Sequence, residues 1–254
     1  MRVGLQLFTV RDQLAADWRR ALRRVAEAGY EFVEFAGHPF TTVDAGELRS
    51  FLQSVGLKPV SASAPYQRLR EDPDPILSAA RELGLSFIMT EPDVRGLASP
   101  SDVRRLGEEM SEVGLALREK GLRMTMHNHA VQFQHRVEGR PVYWLIVEST
   151  DPRYVFFEPD TFWIKFAGFD PVEVISRLRG RCPLVHLKDM RDERTREMEE
   201  VGAGVIDFRS VLRACAEAGV EYGFVEHDSP RGDSIEAAAR MLSRLRGLMA
   251  QRPA

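Results

Sequence analysis

Several side chains able to hold a divalent cation or carry a proton stand at or just past the ends of short apolar runs. They are His127 and His129 in MTMHNH (124–129), Asp160 in FFEPDTFW (156–163), His186 in LVHLKD (184–189) and Glu226 in FVEHD (224–228). Strand ends hold such groups rigidly around an open centre, so residues distant in sequence can surround one ion. Imidazole with carboxylate suits one divalent metal, Mn²⁺ foremost, with Mg²⁺, Co²⁺ and Zn²⁺ as competitors that donor type alone does not separate. Each residue also has a structural use. Asp160 can cap a helix, His186 can be a hydrogen-bonded core histidine, and Glu226 can pair with an arginine. Placement of all of them on one predicted face favours a site; His38, His135 and His227 are read as structural.

The elements that would gather these residues follow from a repeated corner. An amphipathic helix, a small or apolar residue, a glycine and an apolar strand recur at Gly29, Gly56, Gly84, Gly121 and Gly219. Each glycine suits the left-handed position that ends a helix before the chain turns back. Corners about 30 residues apart fit one strand-helix unit of a parallel sheet. Between them the sequence predicts eight strands: 3–8, 32–35, 59–62, 87–90, 123–127, 155–160, 183–187 and 222–226. They are short continuous apolar runs, as expected of strands covered on both faces. Eight such units predict an α/β fold, a single (β/α)8 TIM barrel domain over residues 1–254. The rival, a doubly wound open sheet, lacks its glycine-rich phosphate loop, because the first strand runs into FTVRD.

Composition narrows the function. At 254 residues and 44% hydrophobic content the chain can bury a large core. A formal net charge of −3 with interspersed signs offers no basic face for nucleic acid. Cys182 and Cys215 show no paired spacing and read as buried thiols of a reducing compartment. No apolar run reaches bilayer length and the start lacks a signal peptide's apolar region, so the expectation is a cytoplasmic protein without membrane attachment. The charged stretch 189–207 follows a ligand-bearing strand and could cover the barrel mouth.

The chain resembles the xylose isomerase-like barrels, in particular the group of sugar phosphate isomerases/epimerases. The resemblance runs from GLQLFTVRD (4–12) through GYEFVEFAG (29–37), MHNHAVQF (126–133), EPDTFW (158–163), HLKDM (186–190) and VGAGVIDF (201–208) to FVEHD (224–228). It implies a metal held by a carboxylate near the fifth strand, an Asp after the sixth, a His on the seventh and a Glu on the eighth. The last three match Asp160, His186 and Glu226. The first falls on Gln132, where relatives carry Glu, or on His127. A glutamine oxygen can ligate a hard cation but cannot act as a base, so a symmetric two-carboxylate epimerase is not supported. Ser63 stands where relatives often carry His.

The chemistry implied is that of a metal-dependent isomerase or epimerase of a keto sugar, passing through an enediolate. Glu226 is the candidate base, His127 or His129 returns or donates a proton, and Lys188 steadies developing negative charge. Trp163, Arg191 and Ser63 are candidate substrate contacts. A lyase or dehydratase of a keto-polyol or 3-keto sugar uses the same enediolate, and a non-catalytic sugar-binding barrel is the third reading. The expected partner is a small sugar; a homo-oligomer is left open.

Overall fold

The computed structural model describes residues 1–250; the last four residues of the expected 1–254 domain lie outside the described residues. Helix ends fall where the glycines placed them. Gly56 and Gly219, at φ 79° and 84°, close the helices Ala45–Val55 and Phe208–Ala218, each followed within a few residues by a strand. Eight parallel strands result: β1 (Arg2–Gln6), β2 (Phe32–Ala36), β3 (Lys58–Ser63), β4 (Phe87–Thr90), β5 (Arg123–His127), β6 (Val155–Glu158), β7 (Leu184–Leu187) and β8 (Tyr222–Val225). Their order, β6-β5-β4-β3-β2-β1-β8-β7, is a sheet rolled nearly shut with helices between its strands. Asp160 and His186 form a parallel bridge between β6 and β7, and His186 N–H donates to Pro159 O at 3.0 Å. The fold is therefore a TIM barrel.

Three expected strands run too far. β1 stops at Gln6 because Leu7–Val10 coil into a 3₁₀ turn, and the Gln6 side chain accepts from Phe8 N–H at 3.0 Å. Asp160 and Glu226 lie just beyond β6 and β8, which frees their side chains for the barrel mouth.

Strand alternation stacks the barrel interior in layers. The floor is apolar: Val60, Phe87, Leu184 and Phe224 are buried together, with Phe32 and Tyr222 packed on them. Gly4 permits this, since a Cβ there would lie 2.7 Å from the Phe224 ring. Truncating a floor residue such as Phe87 to Ala would cost about 3–5 kcal/mol. Above the floor comes a buried polar layer containing Gln6, Glu34, Thr125, Glu158 and His186. Above that the barrel opens.

The stretch after β7 is fastened down rather than loose. Buried Asp189 accepts N–H bonds from Met190 (2.8 Å), Gly202 (3.0 Å), Gly204 (2.9 Å) and Ile206 (3.1 Å). A side chain at Gly204 would meet Met190 O at 2.1 Å, so only glycine allows the loop to close on this carboxylate. Among the described residues no helix is long and apolar enough to cross a membrane.

Candidate metal centre and its cavity

Asp160 makes the N-terminus of the helix Thr161–Phe166, its Oδ1 accepting from Trp163 N–H at 2.9 Å. Its other oxygen, Oδ2, is buried and has no hydrogen-bond partner. His186 shows the same division. Nε2 is bonded to Glu34 Oε1 at 2.5 Å, while Nδ1 has no hydrogen bond and faces Glu226 Oε2 at 2.9 Å and Asp160 Oδ2 at 4.0 Å. Glu226 Oε2 and His127 Nδ1 are likewise buried and unpartnered. Ligating atoms of His127, Asp160 and His186 lie within 4.8 Å of one another. Buried polar atoms are ordinarily satisfied, so several orphans converging on one point are what a bound cation would satisfy. The donor set fits a divalent metal.

Electrostatics fit the donor roles of His127 and Glu226, while the surrounding carboxylates hold a proton on His186 that a bound cation would replace. Burial, reinforced by the charges of His186 and His129, holds His127 well below the usual imidazole range, so it stays a neutral ligand. Burial alone would raise Glu226, but Lys188 and His186 outweigh it and keep the carboxyl ionised. Burial pushes Asp160 up to about 6 against the pull of Lys188. Burial would depress His186, yet Glu158, Glu226 and Glu34 together hold its imidazolium well above the ordinary value. Burial and the Glu34 carboxylate push Glu158 up to about 8.

Lys188 is buried and lies 2.7 Å from Asp228 Oδ1 and 3.5 Å from both Asp160 Oδ2 and Glu226 Oε1. Burial opposes its charge, but Glu226, Asp160 and Asp228 keep it protonated. It is a fixed cation beside the centre.

A cavity of about 390 Å³ opens above these residues, with Ser63, Glu91, His127, His129, His186 and Glu226 in its wall. A larger groove of about 660 Å³ lies elsewhere, beside Phe169 and Val205, and contains none of the ligating groups. His129 Nδ1 is 2.6 Å from Glu91 Oε1, and its ring meets Trp163 edge-on at 5.1 Å between centroids. Gln132 stands apart from the converging donors: its Nε2 donates to Glu91 Oε1 at 2.9 Å and its Oε1 accepts from His129 N–H at 2.8 Å. Arg191 is engaged by Glu197 and, at 3.0 Å, by Glu199. Structural histidines read as such have structural partners: His38 meets Leu14 O, His135 meets Leu97 O, and His227 Nδ1 accepts from Ser229 N–H.

Glu34, Glu91, Glu158, Gln6 and Asp228 join the site without having been expected there. The signal for Glu34 and Glu158 was present, a carboxylate inside a run otherwise apolar enough for a fully buried strand.

The chain belongs to the xylose isomerase-like TIM barrel family, whose model matches residues 22–245. It is 26% identical over 157 residues to an inosose dehydratase of Clostridium tetani, covering 53% of this chain and 51% of that protein. It is 29% identical over 153 residues to an inosose dehydratase of Geobacillus thermodenitrificans, covering 52% and 49%. The chain spans about half the length of these curated relatives. A crystal structure of a sugar phosphate isomerase/epimerase from Parabacteroides distasonis superposes with a TM-score of 0.82 at 19% identity, over 98% of both chains; that likeness is one of fold.

Proposed function

We propose that this protein is a metal-dependent dehydratase of a keto-polyol or 3-keto sugar, working by proton removal next to the carbonyl. The observation that carries the reading is one cavity lined by His127, His186, Glu226 and a Glu91-held imidazole, with Asp160 Oδ2 buried 4.0 Å from His186 Nδ1, where one ligating atom of each of His127, Asp160, His186 and Glu226 lacks a hydrogen bond. These four residues would hold the ion, with His127 rather than Gln132 as the fifth-strand donor.

A divalent ion held by these residues would supply Lewis-acid polarisation of the substrate carbonyl. Glu226, in the cavity wall with Oε2 beside His186 and Oε1 3.5 Å from Lys188, is the carboxylate proposed to accept the C–H proton. Lys188, kept protonated, offsets negative charge that develops on substrate oxygen. Glu91 occupies Nδ1 of His129 and leaves Nε2 to protonate a departing hydroxyl. Ser63 offers a hydroxyl from the opposite wall, and Trp163 backs His129 and Lys188 rather than lining the cavity. The buried free thiols of Cys182 and Cys215 suit a reducing cytoplasm.

Isomerisation or epimerisation shares the proton-removal step, so the product decides. Mn²⁺-loaded protein is incubated in D₂O with a panel of inososes, 3-keto glycosides and ketoses. Loss of water from an inosose or keto sugar, read by mass spectrometry, supports the dehydratase. Deuterium uptake without water loss moves the reading to an isomerase or epimerase. Metal bound with no exchange on any member leaves a sugar-binding barrel as the better account.

A further inference from the structure

We infer that Glu34, itself oriented by Gln6, is the positioning residue that decides which nitrogen of His186 faces the metal centre. The inference rests on the metal reading above and extends it to residues beneath the centre. Three bonds form one directed chain. Phe8 N–H donates to Gln6 Oε1 at 3.0 Å, which turns the amide nitrogen of Gln6 the other way, to Glu34 Oε1 at 2.7 Å. The same Glu34 oxygen receives His186 Nε2 at 2.5 Å. Gln6 and Glu34 are register partners on adjacent strands, and both are fully buried, so neither can swing to solvent.

A carboxylate is an acceptor only, so the Nε2 position keeps its proton, and Nδ1 is the nitrogen that a cation would take when it displaces the second proton. Nδ1 lies 2.9 Å from Glu226 Oε2 and 4.0 Å from Asp160 Oδ2, beside His127. Histidines that bind metals commonly give their second N–H to a carboxylate, which fixes ring orientation and strengthens the donor. Glu158 is not equivalent to Glu34. Its Oε1 is 3.2 Å from His186 Nε2 without hydrogen-bond geometry, and its Oε2 accepts from Thr125 Oγ1 at 3.2 Å. Glu34, Glu158 and His186 together resemble a second ligand group. Their arrangement instead backs the upper centre.

The test is calorimetric titration of Zn²⁺ into chelator-treated parent, Asp160→Asn, Glu34→Gln, Glu158→Gln and Gln6→Met proteins, with ¹⁵N-histidine NMR of the Zn²⁺-loaded forms. The parent is expected to bind one equivalent and Asp160→Asn to bind none. Glu34→Gln keeps the stoichiometry but loses about 10–100-fold in affinity, as for other outer carboxylates. Glu158→Gln stays near the parent, and Gln6→Met shows a smaller loss than Glu34→Gln. In the parent spectrum His186 carries its proton on Nε2; in Glu34→Gln a second tautomer gains population. The parent spectrum needs no variant to fold, so it stands if Glu34→Gln does not. Unchanged affinity in Glu34→Gln, or a proton on Nδ1 in the loaded parent, overturns the positioning role while leaving the metal centre intact. Two equivalents in the parent, one lost with Glu34, would mean that the inner carboxylates hold an ion of their own and also overturns it. No Zn²⁺ bound by the parent defeats the metal reading and this inference with it.

Discussion

Nδ1 of His186 and Oε2 of Glu226 stand 2.9 Å apart in the barrel mouth with no hydrogen bond between them. The ion pair lacks hydrogen-bond geometry, and two buried ligating atoms at that separation are spaced to share a third partner.

If that partner is a metal, elemental analysis of protein purified without chelator should find about one equivalent. Asp160→Asn and Glu226→Gln should each lose it. His127→Asn should lose it too, whereas Gln132→Leu should retain it, because the Gln132 amide is committed to Glu91 and His129. Free metal at a hundred times its dissociation constant should stabilise the parent by about 2.7 kcal/mol and leave Asp160→Asn unmoved, readable as a shift in thermal midpoint. Metal retained in His127→Asn and lost from Gln132→Leu would reverse the choice of fifth-strand donor.

The pair His129 and Glu91 makes no hydrogen bond to the converging atoms, although the His129 ring packs edge-on against His127 at 5.0 Å, so its loss should affect chemistry more than metal binding. His129→Asn should lower turnover by about 10²–10⁴-fold, the usual contribution of a positioned acid or base. Glu91→Gln should fall less. Both should keep parental metal content, and an equal loss of metal and turnover would assign them a structural role instead.

The same pair predicts a pH window in stability for the metal-free protein. Burial alone would lower His129 and raise Glu91, but their mutual hydrogen bond and charges reverse both, leaving His129 above its usual 6.5 and Glu91 below 4.5. The raised histidine contributes below pH 6.5 and loses its contribution as pH climbs through its folded value. The lowered carboxylate contributes above pH 4.5 and loses its contribution as pH falls through its own. Denaturant midpoints of parent and Glu91→Gln should therefore differ most between about pH 4.5 and 6.5 and converge on either side. A gap that keeps widening above pH 8 would contradict this.

Asp189 gathers four backbone N–H groups and should anchor the segment that follows β7. Asp189→Asn should cost about 1.5–3 kcal/mol per charge-assisted bond weakened, discounted because an amide oxygen can still accept. Gly204→Ala should cost as much or more, since its Cβ has no room beside Met190 O. Urea denaturation with limited proteolysis across 189–207 reads both; a parental proteolysis rate in Gly204→Ala would contradict the anchoring.

The barrel was legible because its signals are local. A glycine corner before five of the strands and a short apolar run at every strand are properties of a few consecutive residues, and they placed the strands to within a residue or two. Asp160, His186 and Glu226 were legible because strand ends converge in this fold. Glu91 was not, since nothing in IMTEP distinguishes a solvated loop carboxylate from one that reaches His129, 38 positions away. Glu34 was harder still: its partner is 152 positions distant across the barrel, and only closure of the sheet brings them together. Gln132 attracted attention by its place in a motif, whereas its actual partners depend on how the chain turns after β5.

Asp160 and His186 also form the joint where the sheet's first and last strands in spatial order meet. The ring is thus clasped at the point where the reacting molecule would enter it. Directed evolution aimed at either residue will therefore sample architecture as well as reactivity, and libraries built there should yield more collapsed clones than inert ones. Diversity is better introduced at Ser63 or Ala36, on the far wall, where β2 and β3 pair in register from Glu34 and Ser61 to Ala36 and Ser63.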